Sequence, residues 1–343
     1  MTDRQWEALL AVLDGQILSP PPMGFIIDSP WLPHWAGTTI LDYYASDEIW
    51  LEANLRAAAA FPDLIFLPGF WAEYGMCTEP SAFGARCTFP PDEFPFAHPV
   101  IRASEDIDAL EIPDPETDGL APFVLARLRR ARPRIEAAGH KIRFSISRGP
   151  LNVASFLMGV DGFLTALVTE PERAARLLGA ITGYLVRWHE IQRAAFPTID
   201  GMLVLDDIVG FIGRAHFETF ARPHLARLFA PPVRVKFFHN DADARISAPA
   251  LADLGVNLFN MGSDVPLGEW RRLAGDRVTL LGNIPPRDVL ADGTPDDVRA
   301  AVRSLVGSLA DRRRIIFSCG GGMPPGVPTE NIQAFIKAVK EIS

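Results

Sequence analysis

Two spacings of apolar positions alternate along the chain. Short runs rich in β-branched and aromatic residues each give way to a turn signal, and most of them then to a stretch with apolar residues at helical spacing. The runs are Gly24–Asp28 (GFIID), Asp63–Leu67 (DLIFL), Ile142–Ser147 (IRFSIS), Met202–Asp206 (MLVLD), Val235–His239 (VKFFH), Asn257–Asn260 (NLFN), Val278–Leu281 (VTLL) and Ile315–Ser318 (IIFS). Strands separated by helices predict βα units and a parallel sheet. Helices are expected at Pro171–Ala195, Phe217–Phe229, Pro249–Leu254, Pro295–Leu309 and Pro328–Ile342. The last two open on proline followed by acidic residues, which suits the positive end of a helix dipole.

Eight such strands close naturally into one (β/α)8 TIM barrel of the α/β class, spanning residues 1–343 as a single domain. An amphipathic N-terminal extension (MTDRQWEALLAVLDG) precedes it. The stretch 70–115 after the second strand lacks a helical period and is rich in Pro, Phe and Gly, which marks a functional loop or lid. Trp31, Trp35 and the aromatics of Phe70–Phe96 are expected either to cover the barrel mouth or to form a homodimer contact, with the lid preferred. No Gly-x-Gly-x-x-Gly follows the first strand, which argues against a doubly wound open sheet.

Composition narrows the function. Apolar residues make up 48% and charged residues 22%, enough for a core that needs no disulfide or structural metal. A net charge of −9 excludes a polyanion partner such as nucleic acid. Arg127, Arg129, Arg130, Arg132 and Arg134 are expected to form the solvated face of a helix. Three cysteines make no disulfide framework and fit reduced thiols of a cytoplasmic protein, with Cys77 and Cys87 as bystanders. No apolar run reaches about 18 residues, so no membrane partner is expected.

In a barrel, the C-terminal strand ends face the substrate. Those positions hold Asp28, Arg148, Asp206, Asp207, His239, Asn240, Asp241, Asn260, Asn283 and Cys319 with its glycines. Residues i and i+2 of an extended segment point the same way, so His239 and Asp241 can present two ligands to one point. Cys319, on the same rim, would supply a third. Imidazole, carboxylate and thiolate suit zinc with an open fourth position. Asp206 and Asp207 must face apart, one toward substrate or its supports and one as a helix cap. Gly320 and Gly321, in the run Cys319–Gly326, are expected either to form an anion nest at the following helix or to let backbone approach a ligand closely.

The stretches Leu280–Val302 (LLGNIPPRDVLADGTPDDVRAAV) and Ile315–Val339 (IIFSCGGGMPPGVPTENIQAFIKAV) resemble the uroporphyrinogen decarboxylase superfamily, which includes corrinoid-dependent methyltransferases. Leu203–Ile212 and Ser147–Glu172 extend the resemblance to about two-thirds of the chain. The fold it implies is again a (β/α)8 barrel. The segment PPMGFIIDSPWLPHWAG lacks the paired arginines of the decarboxylase branch, and Cys-Gly-Gly-Gly replaces its Gly-His-Gly. The methyltransferase branch, similar to methylcobalamin:coenzyme M methyltransferases, implies zinc bound by His-x-Cys and a distant Cys. His239 matches the histidine, Asp241 stands at the first cysteine and Cys319 lies near the second.

The leading expectation is therefore a zinc-dependent methyltransferase that activates a thiol or similar small-molecule acceptor. Its methyl group would come from a corrinoid protein or a small donor. His239, Asp207 and Asn283 would be the catalytic set, with Arg148, Asp206, Asn240, Asn260, Gly320 and Gly321 on the substrate. A decarboxylase using Arg148 for the carboxylate and His239 or Asp207 for proton transfer, and a non-catalytic binding protein, are the alternatives.

Overall fold

The computed structural model describes residues 1–342. All eight predicted strands are present: β1 Gly24–Ile26, β2 Ile65–Leu67, β3 Phe144–Arg148, β4 Gly201–Leu205, β5 Val235–Asn240, β6 Leu258–Met261, β7 Thr279–Ile284 and β8 Ile315–Cys319. β3 to β8 form one continuous parallel sheet in chain order, and β1 pairs with β2 in parallel. A parallel bridge between Met23 and Phe317 joins β1 to β8. The edge of β3 turned away from β4 meets side chains instead of a strand. Ile146 gives its N–H to Gln192 Oε1 at 2.9 Å and takes the Gln192 Nε2 proton on its carbonyl at 3.0 Å. The Arg148 N–H donates to Glu79 Oε1 at 2.8 Å.

Alternation along each strand divides the apolar residues between two cores. Phe144, Leu203, Leu205, Val235, Phe237, Leu258, Leu281 and Ile316 fill the barrel interior. Met202, Val204, Phe238, Phe259, Leu280 and Phe317 point outward to the helices. The N-terminal extension is the helix Asp3–Leu13, opened by a Thr2–Gln5 capping box. It inserts Trp6, Leu9, Leu10 and Leu13 into the interior core, with Trp6 edge-on to Phe144 at 5.7 Å. Each buried side chain of this size contributes about 1.5–3 kcal/mol, which keeps this helix on the barrel although it follows no strand.

The helix Pro171–Ala195 has the predicted bounds, and Pro295–Gly307 opens with the capping box Thr294–Asp297. The expected helix Phe217–Phe229 divides into a wide turn, Phe217–Ala221, and a helix Arg222–Leu228. Pro223 accounts for the break, since it has no N–H for the carbonyl one turn back. The expected helix Pro249–Leu254 is a single turn at Ala248–Ala250. No single helix among the described residues is long and apolar enough to cross a membrane.

Two expectations about surface residues are corrected. Arg127 is buried rather than solvated: Nε bonds Asp47 at 2.8 Å and the guanidinium lies 4.8 Å from the Tyr74 ring centroid. Trp31 is buried too, donating from Nε1 to the Val327 carbonyl at 3.0 Å, while Trp35 Nε1 donates to Thr329 Oγ1. Both rings pack on Phe61, so they tie the segment after β1 to the C-terminal helix and do not roof the mouth. The insertion 70–115 is built of short elements: a turn at Gly75–Cys77, a helix Thr78–Ala82, a hairpin pairing Cys87–Thr88 with Phe96–Ala97, and a turn at Ser104–Ala109.

Candidate metal centre at the barrel mouth

The inward rows of the strands run on past their apolar residues into polar ones. Ile26 leads to Asp28, Ile146 to Arg148, Leu205 to Asp207, and Phe237 to His239 and Asp241. These polar side chains line a cavity of about 370 Å³ at the C-terminal rim. Trp71, Met76 and Phe94 of the insertion, Arg287 after β7, and Gly320, Gly322 and Met323 after β8 complete its walls. A larger hollow of about 820 Å³ lies at the opposite end, beside Asp14, Arg271 and Arg313. Its arginines are largely paired or tied to backbone carbonyls (Arg277 to Asp253, Arg313 to Asp311, Arg271 to Val278).

At the centre of the rim cavity, ligand atoms of Asp207, His239 and Asp241 all lie within 4.8 Å of one another. His239 Nε2 is 3.6 Å from Asp207 Oδ1 and 3.9 Å from Asp241 Oδ2. His239 Nδ1 sits 2.8 Å from Asn260 Oδ1. The Asn260 Nδ2 protons go to the carbonyls of Leu281, at 2.8 Å, and Cys319, at 3.5 Å, which fixes the amide orientation. An amide oxygen can only accept, so Nδ1 turns its proton to Asn260 and Nε2 is the nitrogen that faces the carboxylates. Asp207 is held in turn by the Asp241 N–H at 3.2 Å and Asn152 Nδ2 at 3.3 Å. Burial of its inner side, ahead of the neighbouring Asp207 charge, raises the Asp241 carboxyl pKa. One nitrogen and two carboxylate oxygens converging on one point form a donor set that fits a divalent cation.

The opposite wall is also charged. Arg148 Nη2 donates to Glu73 Oε1 at 2.7 Å, and its guanidinium lies 5.3 Å from the Trp71 ring centroid. Burial holds both Glu73 and Glu79 above the ordinary carboxylate range, despite Arg148. Asp28 lines the cavity between Arg148 and His239. Burial raises its carboxyl to about 6, against the opposing pull of those two groups.

Several expected site residues stand elsewhere. Cys319 falls on the outward row of β8 with Ile315 and Phe317, buried, its thiol toward the carbonyls of Gly321 and Gly322 at 3.7 and 3.8 Å. Burial pushes that thiol up to about 12. The third member of the cluster is therefore Asp207, not Cys319. Asp206 is outward as well and caps the helix Pro150–Met158, accepting the N–H groups of Leu151 and Asn152 at 3.0 and 2.9 Å. Gly149 permits that approach, since a Cβ there would lie 2.3 Å from Asp206 Oδ2. Asn240 makes a local turn with the Ala242 N–H. Asn260 stands behind His239 rather than on substrate. Asn283 ties the carbonyls of Gly262 and Val265 and does not line the cavity. Gly320 lines it, whereas Gly321 backs the Asp241 carboxylate, where a Cβ would come within 2.7 Å. Asn152, Glu73 and Arg287 were not singled out from the sequence. Asn152 had a signal, a polar residue in the first turn after a strand end; Glu73, inside the irregular insertion, had none.

The comparisons with known proteins agree with this architecture. The family profile described as "Uroporphyrinogen decarboxylase (URO-D)" matches residues 6–342. A uroporphyrinogen decarboxylase of Anaeromyxobacter sp. (strain Fw109-5) is 31% identical over 260 residues, covering 71% of this chain and 69% of its own. A methylated-thiol–coenzyme M methyltransferase of Methanosarcina mazei is 24% identical over 344 residues, covering 97% and 88%. Among solved structures, a methyltransferase from Methanosarcina mazei superposes with a TM-score of 0.76 at 18% identity, over 97% of both chains. With the profile spanning nearly the whole barrel, the chain belongs to the uroporphyrinogen decarboxylase family, whose relatives here include both decarboxylases and a methyltransferase.

Proposed function

We propose that this chain is a metal-dependent methyltransferase of its family, holding zinc through His239, Asp207 and Asp241. The observation that carries the reading is the convergence of His239 Nε2 with two carboxylates, at 3.6 and 3.9 Å. The 24%-identical methyltransferase relative supports the reaction class. Bound zinc would act as a Lewis acid that favours the anionic, nucleophilic form of a thiol or similar acceptor. The protein's own groups fix the rest. Asn260 holds the imidazole in one tautomer, and Asn152 and the Asp241 N–H hold the Asp207 carboxylate in place. Asp28, poised to gain or lose a proton near neutral pH, faces the substrate from across the cavity. Met76 and Phe94 line the cavity and would limit the access of water to the acceptor. The methyl group would come from a corrinoid protein or a small methyl donor.

The decarboxylase reading has Arg148 for the carboxylate and His239 or Asp207 for proton transfer, with Asp28 as a further acid on the cavity wall. It ranks second because Arg148 is already committed to Glu73. Arg287 is the one arginine on the cavity wall without an acidic partner among the described residues. The propionates of a porphyrinogen would need several such cations.

The test is a zinc titration of the metal-free protein beside His239→Ala, Asp207→Asn and Cys319→Ser. We expect about one zinc per chain, lost in the first two variants and retained in the third. The loaded protein should then methylate a thiol probe from methylcobalamin. No zinc uptake, or loss only in Cys319→Ser, overturns the metal assignment. Carbon dioxide release from a carboxylated substrate without methyl transfer would select the second reading.

A further inference from the structure

The insertion that walls the cavity carries the other two cysteines. Cys77 ends the turn Gly75–Cys77, directly after Met76, and is buried. Cys87 opens the hairpin whose connecting loop carries Phe94, and is half-buried. Its sulfur lies 4.0 Å from the Cys77 carbonyl oxygen and 3.7 Å from that of Ala85. The two elements are in close contact: a Cβ on Gly75 would meet Pro95 Cγ at 2.6 Å, and Gly75 adopts a φ of +57° that suits glycine. Met76 and Phe94, one on each element, both line the rim cavity.

We propose that Cys77 and Cys87 are a redox-active dithiol, and that its disulfide fastens the turn carrying Met76 to the hairpin carrying Phe94 at the cavity entrance. This inference does not depend on the metal or on the reaction.

The two thiols have different parts. Cys87 is half-buried and turns its S–H toward the carbonyls of Cys77 and Ala85, whereas Cys77 is buried, its thiol pushed up by the neighbouring Cys87 and by burial. Access selects the attacking sulfur, and of the two Cys87 is the one a disulfide reagent can reach. With oxidised glutathione, Cys87 attacks one sulfur of the glutathione disulfide, forming a Cys87–glutathione mixed disulfide and releasing one glutathione thiolate. Cys77 then attacks the Cys87 sulfur, forming the Cys77–Cys87 bond and releasing the second. The two protons lost by the protein thiols pass to the two glutathione thiolates, so two protein thiols are oxidised as one glutathione disulfide is reduced. Cys319, buried on the far side of the strand from the cavity, takes no part.

The experiment treats the full chain with oxidised glutathione, blocks free thiols, digests without reduction and reads the peptides by mass spectrometry. The expected result is a peptide pair cross-linked through Cys77 and Cys87, with Cys319 modified only after unfolding. Cys77→Ser should stop at a stable Cys87–glutathione adduct, and Cys87→Ser should give neither adduct nor cross-link. Wild-type protein that accumulates the Cys87 adduct without the cross-link, or that reacts equally at both cysteines in the single variants, overturns the dithiol. Hydrogen exchange of residues 75–97 should be slower in the oxidised form by roughly tenfold or more. Unchanged exchange would overturn the fastening of the entrance.

Discussion

The two walls of the rim cavity use the same ingredients differently. On the β3 side, Arg148 binds Glu73 through its guanidinium and Glu79 through its backbone N–H, so the charge of the arginine is met inside the protein. On the β4–β5 side, Asp207 and Asp241 flank His239, whose second nitrogen is committed to Asn260, and both carboxylates are substantially open, at 34% and 50% exposure. Arginine brings a permanent positive charge to its wall. Among the described residues, the β4–β5 wall holds neither arginine nor lysine, so its two carboxylates are left to face a bound cation. A closed ion cluster is architecture; an open one is a place for something to bind.

That contrast can be broken most directly at Arg148. Arg148→Met should cost roughly 3–5 kcal/mol in urea unfolding, because it strands buried carboxyls without their counter-charge. A loss below about 1 kcal/mol would mean that the β3 wall is not a compensated cluster. Next in size is Asn260→Leu, which leaves every proposed ligand in place but frees the imidazole to change tautomer. Zinc affinity should fall about 10–100-fold, read by competition with a chelating dye. Unaltered affinity would show that the His239 wall is not preorganised by Asn260.

A smaller effect concerns Asp28. Its folded pKa of about 6 lies above the ordinary value of 3.8, so the protonated form is the one that folding favours. Asp28 therefore contributes stability at low pH that is lost as the pH rises through about 6. In metal-free protein, Asp28→Asn should be more stable than wild type by about 1–2 kcal/mol at pH 8, the full shift being discounted for partial exposure, with the gain fading toward pH 4. A gain that grows on acidification would reverse the assignment. Smallest of all, Cys319→Ala should shift stability by about 1 kcal/mol and leave zinc binding unchanged, as suits a small buried thiol.

The same contrast explains what could be read from the chain alone. All eight strands and the barrel were legible, because apolar runs that end at turn signals are dictated by burial on both faces of a parallel sheet. His239 and Asp241 were legible from i, i+2 geometry, and the outward turn of one aspartate in Asp206–Asp207 from the same rule. Applied to β8, that alternation also sets Cys319 with Ile315 and Phe317 on the helix side, and applied to β5 it turns Asn240 away from His239. Asn283 was placed by its hydrogen bonds to a loop, which no local pattern announces. Glu73 comes from an insertion without periodicity, and its meeting with Arg148 is a contact across 75 positions of sequence.

The amide of Gln192 has a wider consequence. A barrel whose ladder is interrupted beside β3 has an unpaired strand edge, the feature that invites a segment of another chain to add on and seed aggregation. By offering both a donor and an acceptor to Ile146, the glutamine imitates one residue of a neighbouring strand, and Glu79 does half as much for Arg148. The helix that carries Gln192 thus acts as a guard on the barrel's seam, and that seam is the line along which heat or denaturant should first separate the β1–β2 pair from the other six strands.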